Sequence, residues 1–524
     1  MYIKKEKGSV KLNEIHLKKD DQFIKSLTEN LHEHKQLSSW ALFKMTYELE
    51  KSFIKEKFTG LMATKLLKNI HFLPYQLETA LTVIERMSGR AILADEVGLG
   101  KTIEACLVLK EYMIRGLISK ALILVPSSLV NQWIRELKSK FYIDAVPYHK
   151  NLDMDTNPII VASIDTVKKE PHKNKVLKNT YDLLIIDEAH RLKNESTLNY
   201  HFVSSIKKVY CLLLTATPIQ NNVVEIFNLI SIIRPGLLGN REHFYQHYAK
   251  DIHSSDENYL HQVIKNNLIR NTRANINTNN LQRNVQTIQV QFSHEEKAVY
   301  KKIDKVFRKD HTLAKINFLK QICSSREASY LSLQSLEKKN KSEVIQEIVH
   351  NIEQLPQHVK ANEILNIIKK LKEQKVIVFT EYIATQHYLQ WFLQNHGISS
   401  VLYNGKFSKS KKEWMIEIFK QHAQVLIATD AGSEGINLQF CHNIINYDLP
   451  WNPLKLEQRI GRVHRIGQTE QISIYNLMIK DTIEEHIMNI LHQKLDVFTN
   501  VVGELERLLS SEPTSQTTKA RENM

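Results

Sequence analysis

Short apolar runs alternate with amphipathic stretches over two separate parts of the chain. Between residues 71 and 235 these runs are strand-sized and are followed by Asp, Pro, Ser or Thr: Ala91–Ala94, Ala121–Val125, Ile159–Ala162, Leu183–Ile186 and Tyr210–Leu214. A second series lies between residues 360 and 480: Val376–Phe379, Val401–Tyr403, Val425–Ala428, Asn443–Asn446 and Ile472–Tyr475. Such runs are typical of buried parallel strands with ligand-binding groups at their carboxyl ends. The pattern therefore predicts an α/β protein with two lobes.

The remaining segments lack this alternation and are predicted to be helical. Residues 236–359 are polar and rich in Asn, Gln and Lys, which predicts a helical insert and linker between the lobes. Residues 1–70 form a Lys-rich N-terminal extension, and residues 481–524 form a helical C-terminal extension whose tail after Ser510 is expected to fray. Lobe one is thus predicted at 71–235 and lobe two at 360–480.

The composition is that of an ordinary globular protein, with 524 residues of which 42% are hydrophobic and 24% charged. At roughly 100–200 residues per domain, this length predicts about two to four domains. The sequence lacks both a stretch of roughly 20 apolar residues, as needed to span a bilayer, and an apolar signal core. Its four cysteines lie far apart, which excludes a disulfide framework and a cysteine-based zinc site. We therefore expect a soluble cytoplasmic protein without a membrane partner.

The charge is strongly basic, because 71 Lys and Arg residues stand against 57 Asp and Glu residues, a net charge of +14. Such an excess favours a polyanionic binding partner, because each phosphate that Lys or Arg neutralises releases condensed counterions. A solvated basic surface without a specific ligand explains the charge equally well. Charge alone leaves both interpretations open.

A phosphate-binding loop is indicated where the first apolar run ends. The loop contains two glycines and leads into a helix: Asp95, Glu96, Val97, Gly98, Leu99, Gly100, Lys101 and Thr102. Gly98 and Gly100 let backbone amides approach phosphate oxygens without a Cβ in the way. Lys101 can reach the terminal phosphates of a nucleotide, and the Thr102 hydroxyl is positioned for Mg²⁺. Asp95 stands where the general pattern has its first glycine.

Two adjacent acids, Asp187 and Glu188, follow another buried run. Beside a triphosphate, the two acids of such a pair have different roles: Asp187 would hold Mg²⁺, and Glu188 would orient and deprotonate the attacking water. The alternative is a capped strand end with its acids in solvent, and the phosphate-binding loop argues against it. His190 belongs to the same motif, although a packed histidine would also explain it.

Hydroxyl and amide side chains at two further places are weaker candidates. Thr215 and Thr217 follow an apolar run, where small hydroxyls could relay between the acid pair and lobe two. In isolation, an ordinary strand-to-loop turn explains them better. Gln76 lies about 25 residues before Lys101 and has an amide that can pair with both donor and acceptor edges of adenine.

Lobe two carries a small-residue loop and a basic segment. The loop contains Thr429 and Gly435, and the segment EQRIGRVHRIGQ carries Arg459, Arg462 and Arg465. Their three-residue spacing predicts that these arginines share one helix face. Arginines presented across a cleft to a γ-phosphate stabilise charge in the transition state. A solvated basic helix face is the alternative, and the combination of sites in both lobes argues against it.

Five segments, in this order, resemble the motifs of superfamily 2 helicase-like ATPases, and more narrowly of the Snf2 family: DEVGLGKT (95–102), DEAH (187–190), LTATPIQN (214–221), TDAGSEGINLQ (429–439) and QRIGRVHRIGQ (458–468). The block NYDLPWNP (446–453) and the ending RIGQ (465–468) distinguish the Snf2 family from DEAD-box and RecQ-like relatives. DEVGLGKTIEA (95–105) and LIRNTRA (268–274) further resemble a bacterial branch that includes an ATPase recycling RNA polymerase.

The resemblance, over roughly residues 70–480, implies two RecA-like lobes that bind ATP and Mg²⁺ between them. It implies the following roles: adenine recognition by Gln76; phosphate binding by Gly98, Gly100, Lys101 and Thr102; Mg²⁺ binding by Asp187; a catalytic base, Glu188; arginine fingers Arg462 and Arg465; and Gln458 at the nucleotide cleft. Family members grip duplex DNA with both lobes, and the matching candidates here are Ser127 within 126–128, Ser163, Thr217 and Thr429. Contacts of this kind, made to phosphates, would read no base sequence. Gly435 belongs to the loop that links the cleft to the DNA track.

The expected function is an ATP-dependent translocase that moves along double-stranded DNA and displaces or remodels bound protein. A strand-separating DNA or RNA helicase is the first alternative, although the Snf2-like ending argues against it. A polymerase-recycling factor acting on RNA polymerase is the second. A non-catalytic binding module that uses its basic charge alone is the third, and it would not need Glu188 or Arg462. The motifs and the Lys/Asn/Ile-rich composition favour a bacterial cytoplasm.

Overall fold

A computed structural model describes residues 40, 43–46, 60–219, 224–245, 254–276, 283–307, 313–340, 342–430, 436, 438–465 and 467–502. The chain forms two compact units, residues 1–59 and residues 60–524. Of the first unit, residues 40 and 43–46 are described; they are helical and exposed, and the rings of Trp40 and Phe43 stack with centroids 5.4 Å apart. Both predicted lobes lie in the second unit.

The described strands form two sheets in which every pairing is parallel. They are β1 (Arg90–Leu93), β2 (Ala121–Val125), β3 (Val146–Pro147), β4 (Ile159–Ser163), β5 (Thr180–Ile186), β6 (Lys207–Leu214), β7 (Leu268–Ile269), β8 (Arg283–Val290), β9 (Val376–Thr380), β10 (Ser400–Tyr403), β11 (Val425–Thr429), β12 (Asn443–Asn446) and β13 (Ile472–Ile479). Sheet one has the order β3-β4-β2-β5-β6-β1-β7, and sheet two has the order β10-β11-β9-β12-β13-β8. The predicted two-lobe α/β fold is confirmed.

Helices connect these strands and flank the sheets. They are α1 (Ala63–Leu66), α2 (Pro74–Glu85), α3 (Lys101–Ile114), α4 (Val130–Phe141), α5 (Ile164–Val167), α6 (His172–Leu177), α7 (Leu198–Ser204), α8 (Val224–Ile233), α9 (Arg241–Tyr245), α10 (Ser254–Asn267), α11 (His294–Val306), α12 (Leu313–Ser324), α13 (Arg326–Asn340), α14 (Glu343–Glu353), α15 (Val359–Lys370), α16 (Ile383–Asn395), α17 (Lys409–Gln421), α18 (Pro453–Ile460) and α19 (Ile483–Val502). Along the described residues, no helix combines the length and apolar character needed to cross a membrane.

The apolar runs become strands because both of their faces are covered. All five residues of β2, β9 and β11 are buried. Side chains on opposite faces of the same sheet pack under different helices, and so the alternation expected of a half-exposed strand is missing. The carboxyl ends of these strands point towards one edge of each sheet, where the polar residues that follow them collect.

The segment 236–359 is more than a helical insert, which corrects the sequence-based boundaries. It contributes β7 to sheet one beside β1, and β8 to sheet two beside β13. Strand β8 pairs over its full length, from Arg283 opposite Ile472 to Val290 opposite Ile479. As an edge strand it mixes polar and apolar residues, and the sequence therefore lacks a continuous apolar run there. The helices α11 to α14 within this segment have a hydrophobic cluster of their own.

The N-terminal boundary also differs from the predicted end at residue 70. Residues 60–70 belong to the second unit. The buried carboxylate of Glu111 accepts hydrogen bonds from the backbone amides of Met62 (3.0 Å) and Ala63 (2.7 Å), which anchors α1 to lobe one. At the other end, α19 packs Ile487 and Leu491 into the core of lobe two, and the tail predicted to fray lies outside the described residues.

Candidate nucleotide-binding cleft

A cavity of about 430 Å³ lies between the two lobes. Residues of both lobes line it, among them many of the candidates from the sequence: Val97, Gly98, Gly100, Lys101, Thr102, Asp187, Glu188, Thr215, Gln458, Arg462 and Arg465. Segments more than 350 residues apart in sequence therefore meet at one site, since Gly98 and Arg462 both line it. The cavity brings the predicted phosphate-binding loop, the acid pair and the arginines of lobe two together.

The phosphate-binding loop turns between β1 and α3. Gly98 and Gly100 have φ angles of +89° and +95°, in the left-handed region that favours glycine. A Cβ on Gly100 would also lie 2.7 Å from Nε2 of Gln76, so a side chain there would displace the Gln76 amide. The Lys101 ammonium group donates hydrogen bonds to the carbonyls of Asp95 (2.6 Å) and Glu96 (3.2 Å). Burial lowers the pKa of Lys101, while the nearby acids oppose this shift.

The acid pair stands at the carboxyl end of β5. Burial and the neighbouring Glu188 raise the pKa of Asp187 to about 6. Oδ2 of Asp187 accepts a hydrogen bond from the indole Nε1 of Trp133 at 2.9 Å. Glu188 has φ +52°, an unfavourable backbone conformation for a side chain of this kind. Its Oε2 lies 3.1 Å from Nδ1 of His190, and despite burial this contact and Lys101 lower the pKa of Glu188.

The three arginines of lobe two do not share a helix face, which corrects the sequence-based expectation. Helix α18 ends at Ile460, so Arg462 and Arg465 lie beyond it and line the cavity. Arg459 instead lies inside lobe two. Its Nε donates to Oδ1 of Asp430 (2.7 Å), and its Nη1 donates to Asn446 Oδ1 (3.0 Å) and to the Asp448 carbonyl (2.8 Å). A three-residue spacing predicts a shared face only while the helix continues.

Arg465 lies at the cavity, and its guanidinium is held by backbone groups of its own lobe. Its Nε donates to the carbonyl of Gly461 at 3.0 Å, and its Nη2 donates to the carbonyl of Ile436 at 3.1 Å. Burial lowers the pKa of Arg465.

Four predicted nucleotide ligands do not line the cavity. The Asp95 carboxylate accepts hydrogen bonds from the backbone and side-chain amides of Asn271, at 2.9–3.1 Å. The Glu96 carboxylate accepts from Arg273. The Leu99 side chain is buried, and its carbonyl accepts from Nε2 of Gln76 at 3.1 Å and from the Tyr75 hydroxyl. Gln76 is itself buried and supports the loop from beneath.

The hydroxyl candidates lie at carboxyl ends of strands, in different settings. Ser127 is exposed after β2, and Ser163 is half-buried at the end of β4. Thr217 and Thr429 are buried. Thr215 is also buried and lines the cavity; its Oγ1 accepts a hydrogen bond from the amide of Thr217 at 3.2 Å. The predicted coupling residue Gly435 lies outside the described residues.

Sequence reasoning missed three residues that shape the site. Trp133 donates a hydrogen bond to Asp187; it lies in the strongly amphipathic helix α4, where packing alone would explain a tryptophan. Arg273 and Arg283 lie near the two ends of the stretch between β7 and β8, which joins the lobes. Arg273 bonds to the loop of lobe one and to the His464 segment of lobe two, whereas Arg283 bonds to lobe two alone. The segment 268–274 resembles a family motif, and this resemblance was the available signal for Arg273. The hydrogen-bond partners of Arg273 lie about 180 and 190 residues away in sequence, so its role could not be read from the motif.

Two parallel-sheet lobes with a phosphate-binding loop, an acid pair and arginines around one cavity define a helicase-like ATPase core. The model of the SNF2-related domain matches residues 66–375, and the model of the helicase conserved C-terminal domain matches residues 359–467. Because the first of these covers more than half of the chain, the protein belongs to the SNF2-related family of ATP-dependent helicase-like proteins. The predicted family and ATPase class are confirmed.

Relatives of this chain include bacterial proteins and an archaeal helicase domain. It is 48% identical to the uncharacterized ATP-dependent helicase YqhH of Bacillus subtilis (strain 168), covering 94% of this chain and 90% of YqhH. It is 27% identical to the RNA polymerase-associated protein RapA of Haemophilus influenzae (strain PittEE), covering 81% of this chain but 47% of RapA. The Hef helicase domain of Pyrococcus furiosus has the same fold, with a TM-score of 0.52 at 17% identity, over 82% of this chain and 99% of that domain.

Proposed function

We propose that the protein is an ATP-driven translocase that moves along double-stranded DNA and displaces or remodels protein bound to it. The observation that carries the proposal is the cleft itself, where Lys101 and the Asp187–Glu188 pair of lobe one share a cavity with Arg462 of lobe two. Such a site makes ATP turnover depend on how the lobes approach each other. Membership of the SNF2-related family and the net charge of +14 support DNA as the track.

In this mechanism the phosphate-binding loop holds the triphosphate. The amides around Gly98 and Gly100 face its oxygens, and Lys101 exchanges its carbonyl partners for the terminal phosphates. Gln458 contacts the nucleotide from lobe two. Gln76 supports this loop, and its assignment to adenine remains a prediction.

The residues at the acid pair fit Mg²⁺, which prefers hard oxygen ligands and keeps several waters. Asp187 and Thr102 would hold it, because both line the cavity and offer a carboxylate and a hydroxyl oxygen. When bound, Mg²⁺ would neutralise charge on the phosphate oxygens. The hydrogen bond from Trp133 fixes the orientation of the Asp187 carboxylate.

Glu188 is the proposed base for the attacking water. Its ionised form is favoured by Lys101 and His190, so the carboxylate is available to accept a proton at neutral pH. Arg462, and Arg465 after release from its backbone partners, stabilise the charge that develops on the transferred phosphoryl group. Hydrolysis and release then reopen the cleft.

The proposed DNA contacts lie at the strand ends of both lobes. Ser127 is exposed there, whereas Thr217 and Thr429 are buried, so their segments would contact phosphates through backbone amides. Alternating grip by the two lobes would convert closure into steps, and the contacts would not depend on base sequence. The similarity to RapA, which is named for its association with RNA polymerase, supports RNA polymerase as a candidate displaced protein.

The test is ATP hydrolysis at fixed low salt without nucleic acid and with duplex DNA, single-stranded DNA or RNA. We expect stimulation chiefly by duplex DNA, with no activity in Lys101→Ala. A triplex-displacement assay then reports translocation, and a forked duplex reports strand separation. Stimulation by single strands together with fork unwinding would overturn the proposal in favour of a strand-separating helicase.

A further inference from the structure

Arg273 lies on the stretch of chain that joins the two lobes, between β7 of sheet one and β8 of sheet two. Its side chain is nearly fully buried. In lobe one, its backbone amide and Nη1 donate to Oε2 of Glu96, at 3.1 Å and 3.3 Å. Its Nη2 donates to the carbonyl of Val97 at 2.7 Å. The guanidinium is thus fixed to the phosphate-binding loop just before Gly98.

The same guanidinium also reaches lobe two. Nη2 of Arg273 donates to the carbonyl of His464 at 2.7 Å, and His464 lies between Arg462 and Arg465 in the chain. The loop and this segment are also in direct contact, because a Cβ on Gly98 would lie 2.8 Å from the His464 carbonyl. Arg273 therefore bridges the segment that holds the phosphates and the segment that carries the proposed arginine fingers.

Arg283 fixes the same part of lobe two from the other end of the crossing. Its Nη1 and Nη2 donate to the two carboxylate oxygens of Glu457, each at 2.8 Å, and its Nε donates to Nδ1 of His464 at 3.1 Å. Since arginine only donates, Nδ1 of His464 must accept and the imidazole is neutral. Burial and both arginines lower the pKa of His464 to about 3, in agreement with this assignment. The His464 carbonyl is therefore held at a defined place for Arg273.

The chemistry of arginine suits this bridge better than that of lysine. Its planar group presents several donors in fixed directions and serves Glu96, Val97 and His464 together, whereas an ammonium group lacks this fork. Loss of the side chain would leave the buried Glu96 carboxylate, the buried His464 carbonyl and the half-buried Val97 carbonyl without this donor, although the cavity-lining groups would stay.

We infer that Arg273 is a positioning residue that couples the phosphate-binding loop to segment 461–465 and thereby sets how Arg462 approaches the terminal phosphate. The inference rests on the proposed role of Arg462. Arg273 does not line the cavity and contacts no reacting group, so it acts through the two segments it joins. Its loss is expected to slow turnover and to leave ATP binding almost intact.

The first experiment compares steady-state ATP hydrolysis by the full chain with that of Arg273→Ala, Arg273→Lys and the control Arg115→Ala. Arg115 pairs with buried Glu111 at 2.6 Å within lobe one. We expect kcat of Arg273→Ala to fall about 10–100-fold, as small misplacements of catalytic groups do, with KM for ATP within about threefold. Arg273→Lys should be intermediate, and Arg115→Ala should retain its kcat. Unchanged kcat in a folded Arg273→Lys and Arg273→Ala pair would overturn the inference, as would an effect confined to KM.

The second experiment combines Arg273→Ala with Arg462→Ala under single-turnover conditions. If Arg273 acts through Arg462, the double variant should hydrolyse ATP within about twofold of Arg462→Ala alone, because coupled residues are not additive. If the double variant is slower than Arg462→Ala by the full factor that Arg273→Ala shows alone, the inference is overturned. If Arg462→Ala alone hydrolyses ATP normally, the proposed function loses its arginine finger, which is a separate failure. Should Arg273→Ala not fold, Arg273→Lys takes its place in both experiments, with melting curves as the check.

Discussion

Gly461 of lobe two lies so close to Val97 of the phosphate-binding loop that a Cβ built on Gly461 would be 2.2 Å from Val97 Cγ1. The backbone of Gly461 has φ −63° and ψ −4°, which any residue can adopt. Glycine is therefore required here for space and not for conformation. The contact brings the two segments proposed to bind the nucleotide together one residue before Arg462.

We expect Gly461→Ala to force this segment away from the loop and to lower kcat by roughly tenfold or more, since misplacement of about 1 Å is costly. Val97→Ala in the same chain removes Cγ1 and should restore part of the activity, although the Val97 Cβ would still lie 2.9 Å away. Steady-state ATP hydrolysis measures both effects, and thermal melting checks the fold. A fully active Gly461→Ala protein would show that the cleft tolerates a wider separation.

Glu188→Gln should retain ATP binding and lose hydrolysis, because the amide cannot accept a proton from the attacking water. Loss of a general base costs about 10²–10⁴ in rate. Binding of a fluorescent ATP analogue and release of phosphate measure the two steps separately. Lys101→Ala is the comparison, and it should fail at binding. Full turnover by a folded Glu188→Gln protein would remove Glu188 from the mechanism.

Arg462→Ala should also bind ATP and hydrolyse it slowly. An arginine finger contributes about 10³–10⁵ in rate, and its loss leaves the ground-state contacts of the phosphate-binding loop unchanged. Arg462→Lys keeps the charge without the planar fork and should be intermediate. Single-turnover kinetics measure the rates. A normal rate in Arg462→Ala would assign the finger to Arg465 or to neither residue.

Trp133→Phe should weaken Mg²⁺ binding while keeping the ring in the core. The substitution removes the indole donor 2.9 Å from Oδ2 of Asp187, and the loss of such a supporting hydrogen bond costs about 10–100-fold in metal affinity. Titration of ATPase activity with Mg²⁺ should show a half-saturating concentration raised about tenfold, with nearly normal activity at saturation. Trp391→Phe, on a half-exposed ring of lobe two, is the matched control. Equal Mg²⁺ curves for both variants would contradict the role of Trp133.

His358 should make lobe two sensitive to acid. Burial, followed by the charge of Lys360, lowers the pKa of His358 to about 3, and its Nδ1 accepts a hydrogen bond from the Lys360 amide at 3.3 Å. Its pKa in the unfolded chain is about 6.5, so its contribution to stability is complete above that pH and falls by about 1.4 kcal/mol for each unit below it.

The measurement is the free energy of unfolding of wild type and His358→Gln between about pH 7 and pH 5. Glu484 in the same buried network contributes with the opposite sign, because burial raises its pKa to about 7. The comparison is therefore between the slopes of unfolding free energy against pH for the two proteins. The free energy of unfolding of His358→Gln should fall less towards acid pH than that of the wild type. Parallel slopes would mean that folded His358 takes up a proton in this range as readily as it does in the unfolded chain, which would contradict the prediction.

The sequence predicted the central strands well because their side chains are apolar on both faces. It did not predict β3 and β7, which are two residues long, or β8, whose edge position permits polar residues. These strands form because they pair with another strand of the sheet, and the local residue pattern carries no information about that partner.

The candidate site shows a similar division. Motif spacing identified Lys101, Asp187 and Arg462, which all line the cavity. It also included Asp95 and Glu96, whose side chains point to the crossing between the lobes, because contiguity in a motif does not show side-chain direction. Trp133 resembled any other core residue of an amphipathic helix. Its role emerges only from its contact with Asp187, 54 residues away.

Strand β7 pairs with β1, and β1 leads into the phosphate-binding loop. The polypeptide therefore leaves lobe one next to the position proposed for the triphosphate, close to Arg273. A rotation about such a crossing moves nearby atoms little and distant atoms far. In the proposed mechanism the protein would act as a lever: a small rearrangement on loss of one phosphoryl group near the crossing would become a larger displacement at the far side of lobe two.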